Sequence, residues 1–251
     1  MRITRAGVAG TILMLLVAGI CMRFGFWQLE RLEERRAVNA AAEAGMALPP
    51  LELDSAAIAA IERDPAAFVH RTAVARGTFD FSTELLLRGR AHQGRPGVQA
   101  AVLLQLEGMG RSLVVNRGWM PSPDAATADP RPMRVAGPVA VEGRLQLLPP
   151  SSGRSVRSDI AIGDTTVATY QRLDSEGLAA AAAPRALLPI YLEATTPAIS
   201  GLVPVPPPVL DEGSHFGYAV QWFSFAAIAV IGYVVVVARK ASPKARRKPV
   251  S

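Results

Sequence analysis

The chain has 251 residues, 50% of them hydrophobic, and its mean hydropathy of +0.23 is high for a purely soluble protein. The net charge of +6 is concentrated at the ends, because residues 30–212 carry 18 arginines against 21 acidic residues, a net charge of −3. This distribution excludes a nucleic-acid-binding surface as the origin of the high isoelectric point. The single cysteine, Cys21, excludes an intramolecular disulfide and metal sites built from cysteine pairs.

An uncharged apolar segment, residues 7–22, follows the first arginines. It is interpreted either as a cleaved signal peptide or as an uncleaved membrane anchor. The segment is long for a signal peptide and lacks an Ala-x-Ala cleavage site, whereas Arg23 and the aromatic Trp27 fit a membrane boundary. We therefore predict a transmembrane helix over residues 7–27, preceded by a cytoplasmic tail of residues 1–6.

A second apolar segment runs without charge over residues 216–238 and is predicted to be a transmembrane helix. A helix of that length spans about 35 Å, enough for the roughly 30 Å hydrocarbon core of a bilayer. Basic residues precede the first span and follow the second. The positive-inside rule therefore predicts that both termini, including the basic tail 239–251, are cytoplasmic and that residues 28–213 form one external domain.

The external domain is predicted to be α+β with an antiparallel sheet. Charge pairs three to four residues apart predict that the first helix continues from Gln28 to about residue 44, and a short helix follows over Ser55–Arg63. Alternating apolar and polar residues then predict strands at 70–81, 84–88, 97–105, 112–117, 139–147 and 187–194, and a helix at 173–183. A polar loop is predicted at 149–158, and Pro-rich residues 201–208 are predicted to form an extended lead into the second span.

The start of the second span is the strongest candidate site. His215, Tyr218 and Trp222 are spaced i, i+3 and i+7, so a helix places them on one face. A histidine beside aromatic residues at a membrane surface is a suitable axial ligand for haem iron, but an ordinary aromatic belt with a hydrogen-bonded histidine explains the same pattern. Both interpretations stay open at this point. Helical spacing also suggests that Arg23 or Arg31 faces an acidic group of a ligand.

Three other features have structural interpretations. Residues 116–119, Asn-Arg-Gly-Trp, end a strand, and we predict that Arg117 pairs with a carboxylate, that Gly118 adopts positive φ and that Trp119 packs under a loop. His70 and His92 are predicted to be exposed or hydrogen-bonded residues rather than ligands. Gln221 is predicted to face the first span, since a lone amide in a membrane helix usually faces another helix.

Several stretches together resemble the Surfeit locus protein 1 family of cytochrome c oxidase assembly factors. They are residues 25–32 (Gly-Phe-Trp-Gln-Leu-Glu-Arg-Leu), 76–80 (Arg-Gly-Thr-Phe-Asp), 88–90 (Arg-Gly-Arg) with 96–97 (Pro-Gly), 114–121 (Val-Val-Asn-Arg-Gly-Trp-Met-Pro) and 215–223 (His-Phe-Gly-Tyr-Ala-Val-Gln-Trp-Phe). They occur in the family's order, between and at the edges of two spans. Two departures are Ser214, where the family usually has asparagine, and Glu34-Arg35-Arg36, where a lysine is often found.

The resemblance implies a membrane chaperone or carrier, not an enzyme, that binds haem a and assists its insertion into the large subunit of cytochrome c oxidase. It implies His215 as the iron ligand. As a hypothesis that follows from it, we expect Tyr218, Trp222 and Trp27 to contact the cofactor and Arg23 or Arg31 to face the propionates. Expected partners are the oxidase large subunit, other assembly factors and membrane lipids. The alternative is a scaffold that stabilises an oxidase subunit without binding haem. Composition favours a bacterial inner membrane, with the external domain in the periplasm.

Overall fold

The computed structural model describes residues 5–151, 157–162, 165–195 and 202–241. The predicted tails beyond those limits, and residues 152–156 of the predicted loop 149–158, therefore lie outside the described residues. The chain divides into two compact units, one formed by Met1–Ala40 with Val209–Ser251 and the other by Ala41–Pro208. Each unit is described by itself below.

Two long helices form the first unit. Helix α1 (Arg5–Ala47) continues well past its apolar part, as predicted, and helix α4 (His215–Ala241) begins at the candidate histidine. Both are long and apolar enough to cross a membrane. Their contacts run from Gln28 with His215 to Thr11 with Tyr233, so the helices are antiparallel.

The two helices pack through a seam of small and polar residues. In this unit the buried positions are three, four or seven residues apart, and they are Cys21, Gly25, Gln28, Leu32 and Asn39 on α1 and Ala219 and Ala226 on α4. This repeat is that of a coiled-coil seam, and small side chains allow two backbones to approach closely. At Gly25 the approach is so close that a Cβ would lie 2.5 Å from the ring of Phe223.

The second unit is built from eight strands and two short helices, α2 (Ser55–Arg63) and α3 (Ser175–Ala182). The strands are β1 (Leu51–Glu52), β2 (Thr72–His92), β3 (Arg95–Leu106), β4 (Arg111–Pro121), β5 (Pro138–Leu147), β6 (Ser158–Ile162), β7 (Thr165–Tyr170) and β8 (Ala186–Ala194). The pairings β2–β3–β4–β8–β5–β2 close into a ring, and β7 and β6 extend from β2. Apolar side chains from all five ring strands and from α2 form one core.

The prediction of an antiparallel sheet is wrong, because the sheet is mixed. Strands β1 and β7 run parallel to β2, and β8 runs parallel to β4. Strand β8 inserts between β4 and β5 after a crossover that contains α3, and such a crossover returns the chain in the same direction. A period-two pattern reports which side chains are buried, but it does not report which strands pair or in which direction.

Most predicted elements are confirmed, with two exceptions. The predicted strands 70–81 and 84–88 form one continuous strand, β2, whose pairing with β3 shifts register between Asp80 and Leu85. Such an irregularity bends a strand without ending it. From the sequence alone, the residues at this bend were predicted to form a turn. Strands β6 and β7 were not predicted. The hairpin β3–β4, strands β5 and β8 and helices α2 and α3 agree with the sequence prediction within a few residues.

Residues 116–119 have the structural role that the sequence predicts. The β3–β4 pairing has a bulge here, where Gly118 adopts φ +128 and its N–H donates to Oδ1 of Asn116 at 3.1 Å. The Arg117 side chain is 1% exposed and forms an ion pair with Glu84 at 2.8 Å. Trp119 is buried, and its backbone forms two hydrogen bonds with Val203 in the Pro-rich lead. This cluster stabilises the fold.

Candidate functional site

The candidate histidine forms a hydrogen bond between the two long helices. Nδ1 of His215, the first residue of α4, lies 2.9 Å from Oε1 of Gln28 on α1. Gln28 is 9% exposed, so its amide is shielded within the helix pair. A buried amide needs hydrogen-bond partners, and the imidazole provides one across the seam. The contact fixes the imidazole relative to α1.

The direction of this hydrogen bond determines which ring nitrogen of His215 is available. An amide oxygen only accepts, so the proton of the neutral imidazole lies on Nδ1 and the lone pair on Nε2. Within the described residues, Nε2 has no hydrogen-bond partner. Gly213, at φ +66, lies beside it, and a Cβ there would be 3.8 Å from Nε2 and 3.5 Å from Cδ2. The glycine permits the turn before α4 and leaves the edge of the ring uncovered.

Aromatic side chains surround the seam next to this histidine. Phe24 stacks on Trp222 with 4.9 Å between ring centroids, and Phe26 meets Phe223 edge to face at 5.4 Å. Residues 24 and 26 are about 200° apart on a helix, so the two pairs lie on different sides of α1. Trp222 also contacts Phe225 at 5.9 Å. Both flanks of the seam are therefore closed by aromatic pairs within two turns of His215.

The other predicted site residues lie on exposed parts of the same helices. Tyr218 is 49% exposed and Trp27 is 43% exposed. Arg31 forms an ion pair at 2.5 Å with Glu34, one turn further along α1, and its side chain is 49% exposed. Of the residues predicted from spacing, the structure brings Trp222 into contact with α1, while Tyr218, Trp27 and Arg31 remain accessible around the contact.

Charged residues hold the segment before His215 against α1. Arg36 forms two hydrogen bonds with the carboxylate of Glu212, at 2.7 and 2.9 Å. Arg35 and Asn39 donate to the backbone carbonyl of Asp211 at 3.0 and 2.8 Å. The hydrogen bonds from Arg36 lower the pKa of Glu212 from its ordinary value. The imidazole is therefore positioned by these contacts on one side and by Gln28 on the other.

The sequence did not identify Gln28 as the partner of His215, and it led to a wrong position for the amide of Gln221. The prediction that Gln221 faces the first span is wrong, since its side chain is exposed. Position 221 is about 200° from the seam residue Ala219, so it points away from α1. Small residues at Cys21 and Gly25, followed by Gln28 three residues later, are the signal that identifies the seam on α1.

The structure thus fits a class of membrane proteins in which, along the chain, a sheet-rich domain follows one helix of membrane-spanning length and precedes another. A family model described as "SURF1 family" matches residues 15–227. A "SURF1-like protein" of Monosiga brevicollis is 24% identical over 253 residues, which cover 94% of this chain and 90% of the relative. The chain belongs to the SURF1 family, which is associated with cytochrome oxidase assembly and is not a known enzyme class.

Proposed function

We propose that this protein binds haem a near the membrane surface and assists its insertion into the large catalytic subunit of a haem-copper cytochrome c oxidase. The observation that carries the proposal is the orientation of His215, whose Nδ1 is fixed by Gln28 and whose Nε2 has no partner among the described residues. A ligating histidine usually donates its other ring N–H to an oxygen in this way, which fixes the tautomer and the ring plane.

The surroundings of His215 fit a haem group in chemistry. Porphyrin faces are apolar and aromatic, and the stacked pair Phe24–Trp222 lies beside exposed Trp27 and Tyr218. The haem would supply the iron centre, and the chain would supply an axial nitrogen and an apolar surface. The proposed roles are His215 as ligand and Tyr218, Trp222 and Trp27 as residues that contact the macrocycle.

The acidic groups of haem require cations, and α1 carries two arginines within about one and a half turns of Gln28, the partner of His215. Arg31 is half-exposed and pairs with Glu34, so a propionate would compete with an exposed carboxylate that is well solvated. The exposed Arg23 lies one turn from Trp27 and has no ion pair among the described residues. Arginine suits this role because its planar guanidinium binds carboxylates in two-point contacts.

A single protein ligand is compatible with a carrier that must release its cargo. Among the described residues, no group of three His, Cys, Asp or Glu side chains forms a metal site. His215 and the apolar surface would hold the haem with a single protein ligand, which would favour its release to the receiving subunit. The proposed setting is a bacterial inner membrane with both termini cytoplasmic and the sheet-rich domain periplasmic, where other assembly factors are its expected partners.

Complementation of a strain that lacks the gene tests this function. The oxidase is purified from cells that express wild-type protein, His215→Ala or the control His92→Ala, and its haem a content per large subunit is measured. His92 belongs to the sheet-rich unit, where its ring lies 5.3 Å from that of Trp119. We expect His215→Ala to lower the haem a content at equal membrane levels of the protein, and the control to restore it.

The same experiment addresses the scaffold alternative. If the protein is a scaffold that never binds haem, His215→Ala would complement as well as the wild type does. Loss of the scaffold itself would instead change the amount of large subunit in the membrane. Full haem a content with His215→Ala would therefore contradict the proposal and favour the scaffold.

A further inference from the structure

The sheet-rich unit contains a cavity of about 310 Å³ that is unrelated to His215. It is lined by residues of β2, β3, β4 and β8 and by the loops after β5 and β7. Its volume lies at the lower end of the range for small-molecule sites. Two stretches that the sequence analysis singled out meet here, since Arg90 and Asn116 both line the cavity.

The two amide groups in the lining have both oxygens occupied, and the amide nitrogen of Gln99 is available as a donor. Oδ1 of Asn116 accepts from the N–H of Gly118, and Nδ2 of Asn116 donates to Oε1 of Gln99, both at 3.1 Å. These bonds orient both amides, so Nε2 of Gln99 carries the donors that remain. No acceptor for Nε2 of Gln99 occurs among the described residues.

Arg90 adds a cation with unused donors. Its Nη2 donates to the carbonyl of Gln171 at 3.0 Å, while its Nε is shielded from solvent and has no partner in the part of the chain that the structure describes. A guanidinium has five N–H groups, and only one of those on the Nη atoms of Arg90 has an acceptor among the described residues. The other Nη donors can serve an acceptor in the cavity that Arg90 lines.

The acidic residue in the lining, Glu193, is ionised and paired with an arginine. Glu193 accepts hydrogen bonds from Nη2 of Arg144 at 3.0 Å and from the Tyr191 hydroxyl at 3.4 Å. Burial, together with this carboxylate, raises the pKa of Tyr191, so its hydroxyl stays protonated and donates to Glu193. Because Arg144 balances the carboxylate, the positive charges of Arg90 and Arg172, which both line the cavity, determine the sign of the potential there.

We propose that this cavity binds a small organic anion, whose carboxylate or phosphate group accepts hydrogen bonds from Arg90 and Gln99. A short apolar body of the ligand would contact Leu87 and Leu173, which are 3% and 5% exposed and line the same cavity. An ionised carboxylate or phosphate has only acceptors, which matches a lining with a surplus of donors. The site is independent of the haem proposal, because every residue in it belongs to the sheet-rich unit.

Binding of butyrate to the detergent-solubilised full-length protein tests the proposal, by calorimetry and saturation-transfer NMR at pH 7. Butyramide is the neutral probe of the same size, and inorganic phosphate is the competitor that separates the two anion classes. We expect saturable butyrate binding and at least about tenfold weaker butyramide binding, since an amide lacks the charge that pairs with Arg90. Competition by phosphate would assign the site to phosphate-bearing as well as carboxylate ligands.

Two variants remove the anion site in different ways. Arg90→Gln deletes one of the two cations in the lining, and Gln99→Glu replaces donors with a carboxylate, whereas Asn116 is unchanged. Each is expected to weaken butyrate binding at least about tenfold, and circular dichroism checks that each is folded. The matched control Arg63→Gln removes an exposed charge from α2 and leaves affinity within about twofold. Equal binding of butyrate and butyramide, no saturable binding of either anion, or undiminished affinity in the folded variants would overturn the proposal.

Discussion

The two ends of the helix pair each have polar contacts between α1 and α4, made by Tyr233 at one end and by His215 at the other, and these contacts differ in chemistry. At one end, the Tyr233 hydroxyl lies 2.5 Å from the Thr11 hydroxyl and donates to the carbonyl of Gly7 at 3.3 Å. At the other end, Nδ1 of His215 donates to Gln28. Hydroxyl groups use their donors within the helix pair. An imidazole makes the same kind of contact and still has a second nitrogen for a ligand.

One packing arrangement of α1 and α4 thus accommodates both a structural contact and a candidate site. Both contacts satisfy polar groups between helices, which is the usual role of polar residues in membrane helix pairs. The His215 end also has aromatic pairs, a glycine beside Nε2 and ion pairs that fix the preceding segment. We therefore expect substitutions at the two ends to affect different properties of the protein.

The largest effect is expected from Gln28, the positioning residue for His215. Gln28→Leu removes the acceptor for Nδ1–H, and loss of such a partner typically lowers metal affinity about 10- to 100-fold. Haem retained per protein after purification measures this. Gln28→Glu is the informative contrast, because a carboxylate still accepts from Nδ1 and makes the imidazole more basic. We expect it to retain haem with a lowered reduction potential, whereas equal loss in both variants would indicate a packing role only.

A larger side chain at the close contact between the helices is expected to lower the stability of the whole pair. Gly25→Val places atoms where the Phe223 ring lies, and such overpacking typically costs about 1–3 kcal/mol. Unfolding in mixed detergent measures the loss. Gly19→Val is the matched control, because a Cβ at Gly19 would meet no atom within 4 Å. Equal destabilisation by both variants would show that helix propensity, and not the seam, explains the effect.

A smaller effect is expected at the opposite end. Tyr233→Phe removes the hydroxyl that contacts Thr11, and hydrogen bonds between membrane helices average about 0.6 kcal/mol. We expect a loss of that order in mixed-detergent unfolding and unchanged haem content. A change in haem content as large as that of Gln28→Leu would remove the distinction between the two ends.

The smallest effect is expected from the exposed Arg36–Glu212 pair. The pKa of Glu212 is lowered from 4.5, so its contribution to stability is present at neutral pH and is lost as the pH falls through the lowered value. The melting temperature of Glu212→Gln should be slightly below wild type at pH 7 and should converge with it in acid. A difference that grows in acid would contradict this assignment.

The sequence predicts the elements of this fold better than their arrangement. Charge pairs predict that α1 continues past its apolar part, and alternation locates β3, β4, β5 and β8. The parallel pairing of β4 with β8 depends on a crossover between residues far apart in the chain, which local patterns do not encode. The long strand β2 was predicted as two strands because its irregularity near residue 82 resembles a turn.

The site shows the same division between local and long-range information. Helical spacing predicts that His215 and Trp222 share a face of one helix, and in the structure each of them contacts α1. It does not identify Gln28 as the partner of His215, since the pairing depends on which face of α1 forms the seam. The seam follows a repeat through Cys21, Gly25 and Gln28, whereas the sequence analysis emphasised the adjacent exposed face with Arg23 and Arg31.

The central claim is that Nε2 of His215 is an iron ligand. The most direct test is the absorption spectrum of the detergent-purified protein, wild type and His215→Ala, from cells that synthesise haem a. We predict Soret and α bands in the wild type and their loss in a folded His215→Ala variant. An unchanged spectrum in that variant, or a wild-type protein with no haem bands, would contradict the claim.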